Sequence, residues 1–172
     1  MMFKKTLLAT AVLVFGGFAI NASAATQPTS FAVTATVIND CVISSTNIAF
    51  GNYDPTVATV ITAQGAVTAL CTMGDVVSVG LNQGLTPGTG STAAVPVRQM
   101  VNGTNDLPYH IYIASSGTTE WGTGTVGTNE PAAQTSASVL IPLSFVTYGS
   151  LPAHANVPAG SYSDTVVATV TY

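Results

Sequence analysis

The chain has 172 residues and only 6% charged residues, far below the roughly 25% of an ordinary soluble domain, and this length suits one well-packed domain rather than two. Lys4 and Lys5 supply two of the three basic residues, so beyond residue 5 only Arg98 stands against seven acidic residues and the formal net charge is −6. Nucleic acids and anionic membrane surfaces are bound mainly through lysine and arginine, so both are excluded as partners. The small share of charged residues favours a protein that packs against its own copies.

The first 24 residues predict a secretory signal peptide. Two lysines precede an apolar run over residues 7–20, and the small residues at 22–24 follow it as a cleavage motif. A transmembrane anchor is the alternative, but the run is shorter than the roughly 20 apolar residues that span a bilayer. The remaining chain then divides into an N-terminal extension over residues 25–38 and one domain over residues 39–172.

Short segments of alternating apolar residues, separated by Gly, Pro and Asn, predict an all-β sandwich or barrel. The candidate strands are residues 30–37, 41–45, 47–50, 56–63, 66–72, 76–82, 95–101, 107–114, 137–148 and 160–172. The ninth of these is expected to place one apolar face at Val139, Ile141, Leu143 and Phe145. Pro142 confines that segment to a sheet edge or a bulge, because proline has no N–H to donate.

The first candidate strand directly follows the predicted cleavage site and a polar lead-in. It places Phe31, Val33, Ala35 and Val37 at strict alternation with Ala32 and threonines. Such a segment either folds back as the first strand of its own sheet or leaves its domain and completes the sheet of a neighbour. Alternation alone does not choose between the two.

Two cysteines, Cys41 and Cys71, predict a disulfide, since an even pair in an exported chain meets an oxidising compartment. A metal pair or a catalytic thiol is the alternative. Neither cysteine has a histidine or a second cysteine at ligand spacing, which argues against both.

Other motifs that resemble chemical sites are weak, and no metal, cofactor or catalytic residue is predicted. Gly122, Gly124 and Gly127 match G-x-G-x-x-G without the strand and helix that a dinucleotide site requires. His110 and His154 lack partners at ligand spacing and no nucleophile elbow occurs.

Aromatic and turn residues leave two further readings. Trp121, Tyr109 and Tyr112 are expected in core or loop packing, with a sugar-binding surface as the alternative. The Asn102-Gly103 pair predicts a hairpin turn rather than a glycosylation site, and Asp164 is expected to accept hydrogen bonds from backbone N–H groups.

The last segment, "GSYSDTVVATVTY", predicts a strand that ends the chain. One face carries Tyr162, Val166, Ala168, Val170 and Tyr172. An apolar terminal strand with an open edge recruits other chains, because its backbone N–H and C=O groups are unpaired.

Tyr162 follows the Pro and Gly of "PAGSY" at the start of this strand. This spacing is that of a tyrosine corner, in which the hydroxyl bonds back to upstream backbone near strand F of an immunoglobulin-like sandwich. An ordinary amphipathic tyrosine at a strand end is the alternative. If Tyr162 is a corner, the chain ends at strand F and strand G is missing.

The segments "VINDCVISSTNIAFGNYDP", "ALCTMGD", "VRQMVNGTNDLPYHIYI", "TEWGTG" and "PAGSYSDTVVATVTY" span nearly the whole chain beyond the signal peptide. Their order and their spacing around the cysteine pair resemble the spore coat protein U domain family. This family includes subunits of archaic chaperone–usher pili of the Csu type. The extension and the domain defined above then become a donor segment and a pilin domain.

The resemblance implies an incomplete immunoglobulin-like β-sandwich that lacks its last strand and is completed by donor-strand complementation. A periplasmic chaperone lends a strand first, and at an outer-membrane usher the extension of the next subunit replaces it. The implied donor residues are Phe31, Val33, Ala35 and Val37. The implied terminal strand of the acceptor groove carries Val166, Ala168, Val170 and Tyr172. Cys41 and Cys71 match the disulfide of the family.

The resemblance therefore predicts a structural pilus subunit, exported through the periplasm to the cell surface, that polymerises into a fibre for adhesion and biofilm formation. Its expected partners are other copies or related pilins, the chaperone and the usher, and no enzyme activity is expected. A secreted matrix or spore-coat protein is the alternative within the structural class. A carbohydrate-binding adhesin is disfavoured, because a tip protein usually needs a receptor domain that one domain of this length does not include.

Overall fold

The structure, a computed structural model, describes residues 23–124 and 129–172. Among these residues there are strands, turns and loops but no helix, and so none that is long and apolar enough to cross a membrane. The chain divides into two compact units, Met1–Thr36 and Val37–Tyr172, and every strand of the described residues lies in the second. The prediction of an all-β fold is confirmed over this part of the chain.

The strands form two antiparallel sheets. Their bounds are β1 (Cys41–Thr46), β2 (Ile61–Cys71), β3 (Val76–Leu81), β4 (Arg98–Asn102), β5 (Asn105–Tyr112), β6 (Gln134–Thr135), β7 (Leu143–Leu151) and β8 (Ala168–Thr171). The larger sheet has the order β1-β2-β7-β5-β4 and the smaller has the order β6-β3-β8. Within the described residues, β1 and β8 are therefore edge strands, and each has one paired neighbour.

The hydrophobic core consists of inward-facing residues of both sheets, which alternate with exposed or half-buried residues along each strand. The buried apolar side chains are Val67, Ala69, Cys71, Val77, Val79, Leu81, Leu107, Tyr109, Ile111, Trp121, Leu143, Phe145 and Leu151. This period of two is what the sequence predicts for a sandwich with one buried face on each sheet.

Trp121 lies at the centre of this core and is bonded to strands of both sheets. Its indole N–H donates to the carbonyl of Val79 at 2.9 Å, and its backbone N–H donates to the carbonyl of Ile111 at 2.8 Å. Trp121 and Tyr109 are both buried, so neither side chain is accessible to a sugar. Core packing is the correct reading of these two residues.

The strand predicted over residues 56–63 begins only at Ile61, and it continues without a break into the segment predicted over residues 66–72 as one strand, β2. The glycine between them is not a break. A Cβ at Gly65 would lie 2.5 Å from the carbonyl oxygen of Thr46, so glycine is needed here for the close approach of β1 rather than for a turn. The prediction of two strands was wrong because Gly65 was interpreted as a turn residue that separates them.

The apolar face expected at Val139 and Ile141 is also wrong. Residues 138–141 form a turn in which the N–H of Ile141 donates to the carbonyl of Ser138, and β7 begins only after Pro142. Val139, Leu140 and Ile141 are consequently exposed. Proline has no N–H to donate to a neighbouring strand, so the pairing of β7 begins only after Pro142.

Cys41 and Cys71 form a disulfide between the first residue of β1 and the last residue of β2. The two residues are also direct partners in the register of this strand pair. The cross-link therefore fastens edge strand β1 to the sheet at the end where the N-terminal extension joins the domain.

Replacing both cysteines by alanine is expected to lower the free energy of unfolding by roughly 3 to 4 kcal/mol, because the bond closes a loop with a sequence separation of 30. Urea denaturation of the oxidised wild type and of the C41A/C71A chain measures this difference. Reduced wild-type protein is the matched control and is expected to fall to the same stability. A loss below about 1 kcal/mol would contradict the expectation.

Candidate functional site

A long groove lies between edge strand β1 and the terminal segment, defined here as residues 160–172. It consists of two cavities of about 700 and about 640 Å³. The cavities share four lining side chains, those of Ile48, Phe50, Met100 and Tyr162. Because they share these residues, the two cavities form one continuous depression.

The groove opens onto the hydrophobic core. One wall is formed by residues 43–48, the opposite wall by residues 162–168, and core residues Val67, Leu81 and Ile111 line the floor. The floor residues are themselves almost fully buried, whereas half-buried apolar side chains, among them Ile48, Met100 and Val166, line the cavity. This is the geometry of a sandwich from which one strand is absent.

Two glycines shape the first wall. A Cβ at Gly149 would lie 2.6 Å from Cγ2 of Ile48 and 2.9 Å from Cζ of Phe50, and a Cβ at Gly65 would lie 3.1 Å from Cγ1 of Ile48. The absence of side chains on β2 and β7 therefore lets Ile48 and Phe50 lie close to the larger sheet. Residues 47–50 are a loop rather than the predicted strand.

The terminal segment shows the predicted alternation. Residues 162, 164, 166, 168 and 170 are half-buried and residues 163, 165, 167, 169 and 171 are exposed. Only Ala168–Thr171 is a paired strand, β8, whereas residues 160–172 were predicted as one strand. Of the predicted face, Val166, Ala168 and Val170 pack against the core and Tyr172 is exposed.

Tyr162 lines both cavities, and its hydroxyl donates a hydrogen bond to the carbonyl of Pro158 at 2.9 Å. The bond runs back four residues along the chain, which is the type of contact that a tyrosine corner makes. The ring thus borders both cavities, and its hydroxyl is bonded to Pro158, which also lines the second cavity.

Asp164 anchors the terminal segment to the rest of the domain. Its carboxylate accepts hydrogen bonds from the hydroxyl of Tyr109 at 2.6 Å, from the N–H of Leu85 at 2.9 Å and from its own neighbour Thr165 at 2.7 Å. A Cβ at Gly84, which has a positive φ of 86°, would lie 2.1 Å from this carboxylate. The expectation of backbone N–H donors is confirmed, and the tyrosine donor was not foreseen.

The surroundings of the Tyr109 hydroxyl favour its protonated, donating form. Burial, and next the hydrogen bond to the Asp164 carboxylate, raise the pKa of the Tyr109 hydroxyl well above its ordinary value. The phenol therefore keeps its proton, and the wall of the groove stays bonded to β5.

Arg98 is 1% exposed, although it is the only basic residue beyond residue 5. Its guanidinium donates hydrogen bonds to the carbonyl oxygens of Leu81, Asn82 and Trp121, at distances from 2.6 to 3.3 Å. Glu120 lies 3.6 Å away as an ion-pair partner. Burial lowers the pKa of Arg98, but negative neighbours oppose this and an arginine remains charged.

The sequence analysis did not assign a role to Arg98. The signal for a structural role was its position, a lone cation within an alternating apolar strand of a chain that otherwise avoids basic residues. A buried guanidinium of this kind needs several carbonyl partners, and these partners come from β3 and from the Trp121 loop, which no local pattern reveals.

The implied donor residues lie outside the paired strands. Residues 30–37 contain no strand, although one was predicted there. Ala35 is exposed, and Phe31, Val33 and Val37 are 85%, 86% and 83% exposed. Exposed apolar side chains at every second residue are typical of a segment that becomes buried when it pairs as a strand.

The remaining motifs form no site. The ring of His110 is bonded to Glu120 and stacks on Tyr112, and the ring of His154 lies 3.2 Å from the carbonyl of Pro55. Among residues 23–124 and 129–172, no three His, Cys, Asp or Glu side chains are grouped to hold a metal. Gly127 of the glycine motif lies outside the described residues.

The Asn102-Gly103 pair behaves as the sequence predicts. Gly103, with a positive φ of 62°, connects β4 to β5, and Asn102 pairs with Asn105 across the hairpin. The prediction of a hairpin turn at this pair is confirmed.

The comparison with protein families decides the family. Residues 27–169 match the Spore Coat Protein U domain, and the chain is 38% identical over 162 residues to Protein U of Myxococcus xanthus, covering 88% of each chain. The chain belongs to the Spore Coat Protein U domain family. The resemblance found in the sequence motifs is thereby confirmed.

Solved structures of pilus subunits have the same fold. One is the tip subunit CsuE in the CsuC–CsuE chaperone–tip adhesion subunit pre-assembly complex from archaic chaperone–usher Csu pili of Acinetobacter baumannii, with a TM-score of 0.53 and 26% identity. The match covers 80% of this chain but 40% of that one. The P pilus rod subunit PapA has a TM-score of 0.51 at 16% identity, over 77% of this chain and 98% of PapA.

These comparisons confirm the predicted fold class, an all-β, pilin-like, immunoglobulin-like sandwich of the kind that donor strands complete. The family and the fold are those of structural subunits of pili or coats, which typically are not enzymes.

Proposed function

We propose that this protein of the Spore Coat Protein U domain family is a structural subunit of an archaic chaperone–usher pilus and polymerises by donor-strand exchange. The observation that carries this proposal is the groove between edge strand β1 and the terminal segment, which is lined by half-buried apolar side chains over a floor of core residues from both sheets. A strand placed there would pair with open backbone edges and cover the apolar floor.

The donor is residues 30–37 of another copy. Burying Phe31, Val33 and Val37 stabilises the complex by roughly 1.5 to 3 kcal/mol for each side chain, while the small Ala35 contributes less. Contacts of this head-to-tail kind do not close into a dimer and generate a filament. The fibre would serve adhesion and biofilm formation at the cell surface.

A periplasmic chaperone and an outer-membrane usher are the partners that this assembly requires. An open groove next to the core is an aggregation hazard until it is filled, so a chaperone strand would occupy it first. The similarity to a tip subunit that was crystallised with its chaperone supports this step.

A secreted coat or matrix protein is the second candidate, and the 38% identity to Protein U of Myxococcus xanthus favours it. It shares the groove and the donor segment, so the two candidates differ in the final assembly rather than in the mode of contact. A carbohydrate-binding adhesin has less support, because Trp121 and Tyr109 are in the core.

Deleting residues 26–37 tests strand exchange. We expect the chain without its signal peptide to form a ladder of oligomers that resists mild denaturant, whereas the deleted chain forms none. A synthetic peptide of residues 26–38 should bind the deleted chain and raise its thermal stability, and a scrambled peptide is the control. Strand exchange is wrong if the deleted chain is a stable monomer that does not bind the peptide and the full-length chain forms no ladder of oligomers.

A further inference from the structure

Exposed apolar side chains cluster at the end of the sandwich that carries the disulfide. We name this cluster the exit patch, and it consists of Ile38, Val42, Leu70, Met73, Val139, Leu140 and Ile141. The largest exposures are those of Leu140 at 84% and Ile38 at 73%. Soluble monomers rarely expose a continuous group of this kind without a binding role.

Strand register brings the members of the exit patch to one end of the larger sheet. Val42 is the direct partner of Leu70 across β1 and β2, next to the disulfide. Leu143 is the partner of Ala69, so the turn that precedes Leu143 lies at the same end. The N–H of Gly74 donates to the carbonyl of Ser136 at 2.8 Å, which joins the turn region to the chain after β2.

The patch is almost free of charge. Within residues 38–42, 70–76 and 136–143 the acidic residues are Asp40 and Asp75, and Asp75 is buried. A surface with one exposed charge among seven apolar side chains fits another protein surface of low charge. A second copy of this chain, in which 6% of residues are charged, has such a surface.

The patch surrounds the point at which the N-terminal extension joins the domain. The Thr72 side chain accepts the N–H of Asp40 at 3.0 Å and donates to the carbonyl of Ile38 at 3.2 Å, so the chain is held there. From Val37 to Cys41 the chain spans four residues, which reach at most about 14 Å when fully extended. Whatever holds Val37 therefore lies next to the exit patch.

We propose that the exit patch packs against the copy of the chain that receives this copy's donor segment. The proposal rests on donor-strand exchange and adds a second contact between the same two subunits. The short segment between Val37 and Cys41 holds the two surfaces at high effective concentration. Even a weak apolar contact between them would therefore form. Such a contact restricts rotation about residues 38–40 and stiffens the fibre.

Amide hydrogen exchange on assembled oligomers tests the contact. We expect the amides of residues 138–141 to exchange at least about tenfold more slowly in oligomers than in the monomer, because they form one short turn that packing would cover. If the ladder forms and these amides exchange as fast as in the monomer, the exit patch does not contact the next subunit. If no ladder forms, donor-strand exchange and this contact both fail.

A matched pair of double variants separates contact from folding. L140S/I141S changes side chains that are 84% and 57% exposed, and the control L85S/V95S changes side chains that are 70% and 56% exposed elsewhere on the domain. We expect both to form the wild-type ladder, but only L140S/I141S fibres to bend more, with a persistence length in electron micrographs at least about twofold shorter. Equal bending of both fibres would overturn the proposal.

Discussion

A chain that carries Val33→Asp is expected to form no strand-exchanged oligomers. Val33 is the second of the four alternating donor residues and is 86% exposed before assembly, so the substitution leaves the monomer itself undisturbed. In the groove, aspartate would place a carboxylate against an apolar floor without a partner. An unpaired buried carboxylate costs several kcal/mol, which is as much as the donor strand gains from its largest side chains.

The neighbouring substitution Thr34→Asp is the matched control. It adds the same charge one residue away, but alternate residues of a strand point to opposite faces, so this carboxylate would face solvent. We expect the T34D chain to give the wild-type ladder of oligomers in mild denaturant and the V33D chain to remain monomeric. Equal loss of assembly in both would mean that charge repulsion, not burial in the groove, decides assembly.

Replacing Arg98 by alanine is expected to be the most destabilising single substitution discussed here, at about 3 to 5 kcal/mol. The guanidinium bonds to three carbonyl groups, those of Leu81, Asn82 and Trp121, and pairs with Glu120. Its removal would leave these acceptors unsatisfied next to a cavity. Urea denaturation monitored by the fluorescence of Trp121 measures the loss, because this single tryptophan lies in the core and its backbone carbonyl accepts a hydrogen bond from the guanidinium.

The substitution Arg98→Lys distinguishes charge from geometry. Lysine keeps the positive charge but lacks the planar fork that reaches separate carbonyl groups at once. We expect R98K to recover less than half of the stability lost in R98A. If the unfolding free energies of R98A and wild type agree within about 1 kcal/mol, the hydrogen bonds of Arg98 contribute little to stability.

Much of the sandwich could be predicted because it depends on local patterns. Apolar segments predicted strands at the positions of β3 and β5, alternation predicted the inward face of the terminal segment, and an even cysteine pair in an exported chain indicated the disulfide. For the strands, residues near one another in sequence carry the physical signal, since side chains of a strand alternate whatever lies opposite. The disulfide instead followed from the number of cysteines and the oxidising compartment.

The groove itself could not be predicted from such patterns. Its walls are residues about 120 positions apart, and its shape depends on Gly149 leaving room for Ile48 and Phe50. In the same way, the turn at Val139 was missed because its apolar residues read as a strand, whereas Pro142 and the start of pairing at Leu143 decide the boundary. Long-range packing overrides local preference at such places.

The burial of Arg98 also removes the last point at which a trypsin-like protease could act. Such enzymes cut after lysine or arginine, and beyond residue 5 the chain has one such bond, between Arg98 and Gln99, inside paired strand β4. Proteolysis requires exposed, mobile backbone, which a paired strand with a buried side chain does not offer. An extracellular polymer of this chain without its predicted signal peptide would therefore persist in surroundings rich in these proteases, and it would also offer no lysine amines to reactive aldehydes.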